Sequence, residues 1–456
     1  MRRAITTTHP QRSHPIPSVL HSATPVPFFF CLSYIKSRDN ISPNMADSYY
    51  NQDKHVASTS VRRPAAFDSD DGSFNTRRSP LDPRGWGKRV WIGLGLVVVI
   101  ILAVVPAVAV TVQKKNRYPD YSPLTYSLSE TYAGEQFFDK FNYFTGFDPT
   151  GGMVHYVPKE QATSLNLTYS SASRSILRVD TSVGPGSDPD ASTGRFSVRV
   201  TSKSTYDKGL FLFDVRHAPI GCATWPALWL SDHDNWPTNG EIDVMEAMNP
   251  PAPGQVTKAD TSADGTHDGN SNMMTLHTTD GCEMSVKRQM EGNSLQSDCL
   301  NSTNGNAGCG VAVPQQIGGG NGYGSGFNTG GGGVIALEIR DAGIRLWQFA
   351  RGSSMPSDIS SFAANVGTTN TGRVVPNPSS WGTATADFPS TECTIGNHFR
   401  NQSIIINVTI CGDAIYPRWE SSGCPMETCQ KFQAENPSAF TDAYWEFGGF
   451  EVYKAA

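Results

Sequence analysis

Charge is scarce in this chain: Asp, Glu, Lys and Arg make up 17% of its 456 residues, too little for a coiled coil or a long helical bundle. Glutamate is missing altogether from the first 117 residues, which hold 16 Lys plus Arg against 7 Asp, a net of +9. Because the whole chain sums to −6, the remainder carries −15. An acidic body is repelled by phosphate backbones, and the basic head is sparse and broken by proline, so no nucleic-acid partner is expected. Cofactor signatures are missing too. The Gly-rich run from Gly318 to Gly333 contains neither GxGxxG nor a Walker sequence and reads as a flexible surface loop. No GxSxG supplies an esterase-type serine. Asp232 and Asp234 open like a calcium loop, but Trp236 and Pro237 stand where a ligand and the turn glycine belong, so solvated turn residues are expected there. Cys424 and Cys429 lack a second pair that would complete a zinc set. Neither a metal nor a cofactor is expected.

What the chain does have is one long uncharged run, VWIGLGLVVVIILAVVPAVAVTV from Val90 to Val112. About 20 such residues cross a bilayer as a helix. Arg77, Arg78, Arg84, Lys88 and Arg89 precede the run, against Lys114, Lys115 and Arg117 after it. That bias orients the N-terminus inside, as a single-pass type II protein. Residues 1–89 are rich in Ser, Pro and Arg without periodicity and read as a disordered cytoplasmic tail. Met45 is an alternative start that keeps the span. Residues 113–124 form a stalk. Eight of the nine cysteines lie beyond the span, an even set suited to an oxidising compartment, with the pairing open among 105 connectivities. Sequons at Asn166, Asn301, Asn401 and Asn407 fit the same extracellular or lumenal side, with the plasma membrane or cell surface as destination.

The body, residues 125–456, reads as all-β. RFSVRVTSK, GLFLFDVRH, TWPALWL, GEIDVMEAM, GVIALEIR, GIRLWQFA and SIIINVTI are short, β-branched and aromatic, separated by Gly, Pro, Asn and Asp. With little helical periodicity and no fixed repeat, they predict one two-sheet sandwich or jelly roll with long loops.

The stretch Gly240-Glu241-Ile242-Asp243-Val244-Met245-Glu246 carries the chemistry. Glu241 and Asp243 share a strand face, but Glu246, three residues on, would point away. A β-bulge at Val244 or Met245 would return it to the carboxylate face. Three acids on one face raise at least one pKa, which is what glycoside hydrolysis needs: one ionised carboxylate to attack, one protonated to donate. Trp225, Ala227 and Trp229 alternate onto one face just upstream, where indoles can stack on sugar rings. Trp236, in the connecting loop, is a further sugar-binding candidate.

These residues carry a family resemblance. WPALWL followed by NGEIDVMEAMN resembles the active-site region of glycoside hydrolase family 16, in its bulged, laminarinase-like branch. YSLSETYAGEQFFDKFNYF, GLFLFDVRHAPIGCATWPA, LHTTDGC, NHFRNQSIIINVTICGD and AYWEFGGFEVY extend it over residues 125–456, in the order seen in fungal endo-β-1,3(4)-glucanases. The resemblance implies a concanavalin A-like jelly roll with an open glycan cleft and retaining endo-hydrolysis of β-1,3 or mixed β-1,3/1,4 glucan by a monomer. It makes Glu241 the nucleophile and Glu246 the acid/base, with Asp243 hydrogen-bonded to the nucleophile and His277 a cleft residue near the acid/base. Ala414 departs from the pattern, standing where many relatives have Trp; Phe349-Ala350-Arg351-Gly352 and Thr394 depart as well. A cell-wall glucan transglycosylase and a non-catalytic glucan-binding protein are the alternatives. The bulged spacing disfavours the first, and the three intact acids disfavour the second.

Overall fold

The computed structural model describes Pro83 and residues 86–456, apart from 188–192, 251–270, 353 and 369–372. The tail expected over 1–89, with Cys31 and Met45, lies almost wholly outside the described residues. All seven segments read as strands are strands, with RFSVRVTSK split into Arg195–Ser197 and Arg199–Ser202.

Two eight-stranded sheets make the body. The cleft sheet runs Asn293–Ser294, Val311–Ala312, Met273–His277, Glu241–Glu246, Thr224–Ser231, Ser403–Ile410, Arg199–Ser202, Phe141–Phe144. The second sheet centres on Gly333–Arg340, Gly209–His217 and Tyr444–Ala455. Neighbouring strands in both sheets pair antiparallel. Alternation decides what each face does. From the cleft sheet, Leu228, Leu230, Ile242, Met274, Leu276, Ile404, Ile406 and Val408 point inward and meet Phe211, Phe213, Val215, Ile335, Leu337, Phe447 and Phe450 from the other, forming the main core. Their alternate neighbours are left facing the opposite side, where the cleft lies. The outer face of the second sheet is closed by the helix Ser357–Asn365, whose Ile359 and Phe362 pack with Leu210, Leu212, Val334, Ala336 and Trp347.

The Gly-rich run is not a loose loop. Gln316–Ile317 pairs with Gly320–Asn321, and the short helix Gly324–Thr329 buries Phe327, with Tyr323 buried just before it. Those two aromatics, which the glycines mask in a composition reading, anchor the segment to the core.

The eight cysteines that follow the apolar run are all paired: Cys222–Cys424, Cys282–Cys393, Cys299–Cys309 and Cys411–Cys429. Cys282 and Cys393 are 111 residues apart, so their bond constrains a large part of the unfolded chain. Replacing both by Ser is expected to remove about 2–5 kcal/mol of stability, read as a lower thermal midpoint with unchanged far-ultraviolet dichroism once folded.

Upstream of the sandwich, Lys88–Lys115 is one continuous 28-residue helix with Pro106 inside it and no buried side chain. At 1.5 Å per residue it is roughly 42 Å long. It is the one helix among the described residues long and apolar enough to cross a membrane.

Candidate active site

The acid strand slips register against both neighbours at the same place. Toward Thr224–Ser231, Asp243 faces Trp229 and Met245 faces Leu228, leaving Val244 without a partner. Toward Met273–His277, Asp243 faces Thr275 and Glu246 faces Met273, so Val244 and Met245 together oppose one residue. Both of these side chains go into the core. With two consecutive residues pointing inward, Glu246 returns to the face that carries Glu241 and Asp243. Buried Asn272 fastens the slip: its Oδ1 accepts from the Glu246 N–H (3.0 Å) and its Nδ2 donates to the Val244 carbonyl (3.2 Å) and to Gln348 Oε1 (2.9 Å) on the second sheet. Gly240, just before the strand, lies at φ +76, where a Cβ would lie 2.3 Å from the His398 carbonyl oxygen. Only glycine fits there.

Glu241, Asp243, Glu246, Trp225, Trp229, Trp236 and His277 all line one open cleft of about 1060 Å³. Each outer acid receives an indole. Trp225 Nε1 donates to Glu246 Oε1 (2.7 Å), and Trp236 Nε1 donates to Glu241 Oε2 (2.5 Å). Trp229 Nε1 is spent on Asn407 Oδ1 (2.9 Å), and the Arg199 guanidinium lies 5.0 Å over its ring. The loop holding Trp236 is organised by Asp232, read from sequence as solvated but in fact buried. Its Oδ2 accepts from the Asn235, Asn239 and Asn401 amides, which outweigh the burial and keep its pKa below the usual carboxylate value.

His277 stands directly across the strand pair from Glu241, and its charge also reaches Glu246. Its Nε2 lies 3.2 Å from Asp243 Oδ2 and its Nδ1 3.1 Å from Asn306 Oδ1. In the protonated ring both contacts are N–H donations to oxygen. Burial opposes that charge, but the Asp243 hydrogen bond and the Asp243, Glu241 and Glu246 charges prevail and lift its pKa to about 9. Glu241, Asp243 and His277 could in principle offer ligand atoms to a cation, being within 4.8 Å of one another. Holding one would require His277 to give up a proton and one of these two contacts.

Burial, then the Glu241 charge, pushes the Asp243 carboxyl well up, with the His277 contact opposing. Asp243 thus hydrogen-bonds with His277, and its link to Glu241 is electrostatic. Glu246 is raised as well, chiefly by burial and further by Glu241, against the Trp225 hydrogen bond and the His277 and Arg418 charges. Replacing His277 by Gln removes a cation that lowers the Glu246 pKa. The alkaline limb of kcat/KM, set by loss of the acid's proton, is therefore expected to move to higher pH; a limb that stays in place contradicts this wiring.

Sequence reading missed several cleft residues. Arg199 was visible as a charge amid an apolar strand. The sequon at Asn407 falls on a side chain that is buried mid-strand, donating to Thr409 Oγ1 (3.1 Å) and the Tyr156 hydroxyl (3.3 Å), a position that disfavours a glycan. Asn166 and Asn401 are exposed. Asn306 reaches the site because Cys299–Cys309 closes its loop, a pairing that spacing could not single out.

A raised acid and a second carboxylate lining one open cleft of this volume are the equipment of a glycosidase. A family model described as the XgeA-like, catalytic GH16 domain matches residues 141–263 and 259–453. The chain belongs to glycoside hydrolase family 16. It is 40% identical over 344 residues to a probable glycosidase of Schizosaccharomyces pombe, covering 75% of this chain and 72% of that one. To the endo-1,3(4)-β-glucanase of Arthroderma benhamiae it is 34% identical over 335 residues, covering 72% of this chain and 65% of the relative. Among solved structures, laminarinase 16A from Phanerochaete chrysosporium, with β-glucans in donor and acceptor sites, matches at TM-score 0.61 and 38% identity, over 72% of this chain and all of that one.

Proposed function

We propose that the protein is a membrane-anchored, retaining endo-hydrolase of β-1,3 or mixed β-1,3/1,4 glucan. The carrying observation is the register slip that gathers Glu241, Asp243 and Glu246 in one cleft with Glu246 raised. In this reading Glu241 attacks the anomeric carbon and Glu246 protonates the leaving oxygen. Glu246 then deprotonates the water that hydrolyses the glycosyl-enzyme. Asp243 and His277 hold the protons and charges around Glu241. Trp225, Trp229 and Trp236 offer sugar-stacking surface, and Ala414 leaves room on the cleft wall.

The resemblance to glucanases supports the substrate class. The apolar helix, none of whose side chains is buried, supports a span over 90–112; with it go 1–89 inside, 113–124 as a connection whose Tyr118 and Tyr121 bond to Asp387, and 125–456 as a monomeric catalytic domain at the cell surface. Four disulfides fit that oxidising side.

The test incubates the full chain in detergent with laminarin, lichenan and xyloglucan. Shorter oligosaccharides, first released with the β-anomeric configuration by proton NMR, are expected from the first two. Lengthened products instead mean transfer, bound and intact polymer means a binding protein, and an α-anomer overturns the double displacement.

A further inference from the structure

A small sheet beside the cleft carries an aromatic row that catalysis does not use. Gly146–Phe147 pairs antiparallel with Val154–Tyr156, which pairs in parallel with Arg195–Ser197. In the latter two strands the first and third residues are buried and the middle one is half-exposed. The register sets Phe147 opposite His155, and His155 opposite Phe196. Ring centroids are 5.0 Å apart for the first pair and 6.3 Å for the second.

Phe147 is 74% exposed, more than any other large apolar side chain among the described residues, those of the apolar helix included. One exposed apolar residue needs no explanation. A cross-strand row of three rings, each plane tilted 58–59° to the next, is a contiguous aromatic surface. It presents no exposed carboxylate, ammonium or guanidinium, because Arg195, the one such residue on these strands, is fully buried. A phosphate or an anionic membrane has nothing to grip there. A neutral ligand with flat apolar faces does, and pyranose rings with axial C–H groups are such a ligand.

The platform is continuous with the cleft. Phe147 runs straight into Asp148, Pro149 and Thr150, which line it, and Asp148 accepts from the Thr409 hydroxyl (2.8 Å) on the cleft sheet. Three rings on adjacent strands span roughly 10 Å, room for about two sugar units of a chain leaving the cleft.

We propose that the Phe147–His155–Phe196 row is a second glucan-binding surface that holds the polymer outside the catalytic cleft. The proposal rests on the glucanase reading for its choice of ligand. A second foothold on the same chain raises the effective grip on long glucan without touching the chemistry, so it is felt by polymer and not by short oligosaccharides.

The test compares the full chain with Phe147→Ala, which deletes the exposed ring, and with Phe147→Ala/Phe196→Ala. For laminarin, KM is expected to rise about 3- to 10-fold in Phe147→Ala, the worth of one aromatic contact, while kcat/KM on laminaripentaose stays within about twofold. Unchanged KM on laminarin overturns the proposal, as does an equal loss on the pentasaccharide. Retention on insoluble β-1,3-glucan is measured in a Glu241→Gln background, where nothing is cleaved. It must fall when Phe147→Ala is added, and equal retention overturns the surface. If the unaltered chain cleaves no glucan, the hydrolase reading fails, while the retention experiment still decides for or against the platform.

Discussion

Glu241→Gln and Glu246→Gln are each expected to lower laminarin hydrolysis by at least about 10³-fold while leaving the fold intact. Both are isosteric and neither side chain is in the core. Gln can still accept the indole N–H that Trp236 gives Glu241 or Trp225 gives Glu246. The two losses should differ in kind. A substrate with an acidic phenol as leaving group departs without a proton, so Glu246→Gln should still form the glycosyl-enzyme and then stall. That predicts a burst of phenol and a covalent adduct detectable by intact mass. Glu241→Gln has no carboxylate to attack with and should give neither. A burst from Glu241→Gln, or full laminarin activity in either variant, would refute the assigned roles.

The sandwich was legible because burial writes itself into strands. Long central strands such as Gly209–His217, Gly333–Arg340 and Ser403–Ile410 are buried on both faces over most of their length, and their β-branched and aromatic runs show it. The short strands Asn293–Ser294 and Val311–Ala312 and the Gly324–Thr329 helix were not legible. Two residues carry no period, and a helix of Gly, Ser and Asn forms only because Phe327 is pulled into the core. The acid strand was legible for a different reason. Spacing of two and then three between carboxylates is inconsistent with a flat strand, and that inconsistency is itself the signal for a bulge.

The charge wiring behind the acids was not legible. His277, Asn306 and Arg199 come from separate segments, and the contacts that turn His277 into a cation depend on strand register and on a disulfide-closed loop. Trp236 shows the same limit. Its place in the connecting loop marks it only as a sugar-binding candidate, whereas Asp232 and three Asn amides fold the turn so that the indole reaches Glu241. The sequence pattern identifies which groups could do the chemistry. Which of them hold protons follows from three-dimensional neighbours.

Asn272 is the sharpest case, and its replacement should have large effects on both stability and turnover. It is fully buried and makes three hydrogen bonds, two to the backbone of the bulge and one to Gln348, whose Nε2 in turn donates to the Gly322 carbonyl (2.5 Å). In Asn272→Ala the Glu246 N–H, the Val244 carbonyl and the Gln348 amide lose their partner in a dry site, at about 1–3 kcal/mol for each group left unsatisfied. A total loss of about 2–4 kcal/mol by denaturant titration is expected after partial relaxation. The functional effect should be larger than that number suggests, because the bulge aims Glu246. An acid displaced by about 1 Å costs on the order of 10² in rate, so kcat should fall with KM little changed. Asn272→Asp separates the two effects. It keeps an acceptor for the Glu246 N–H, loses the donor to Val244 and Gln348, and brings a carboxyl group toward an acid already raised by burial. If that group ionises, the Glu246 pKa climbs and the alkaline limb of kcat/KM moves to higher pH, the same direction as in His277→Gln. An Asn272→Ala protein with normal kcat would show that the bulge holds its shape through the packing of Val244 and Met245 alone.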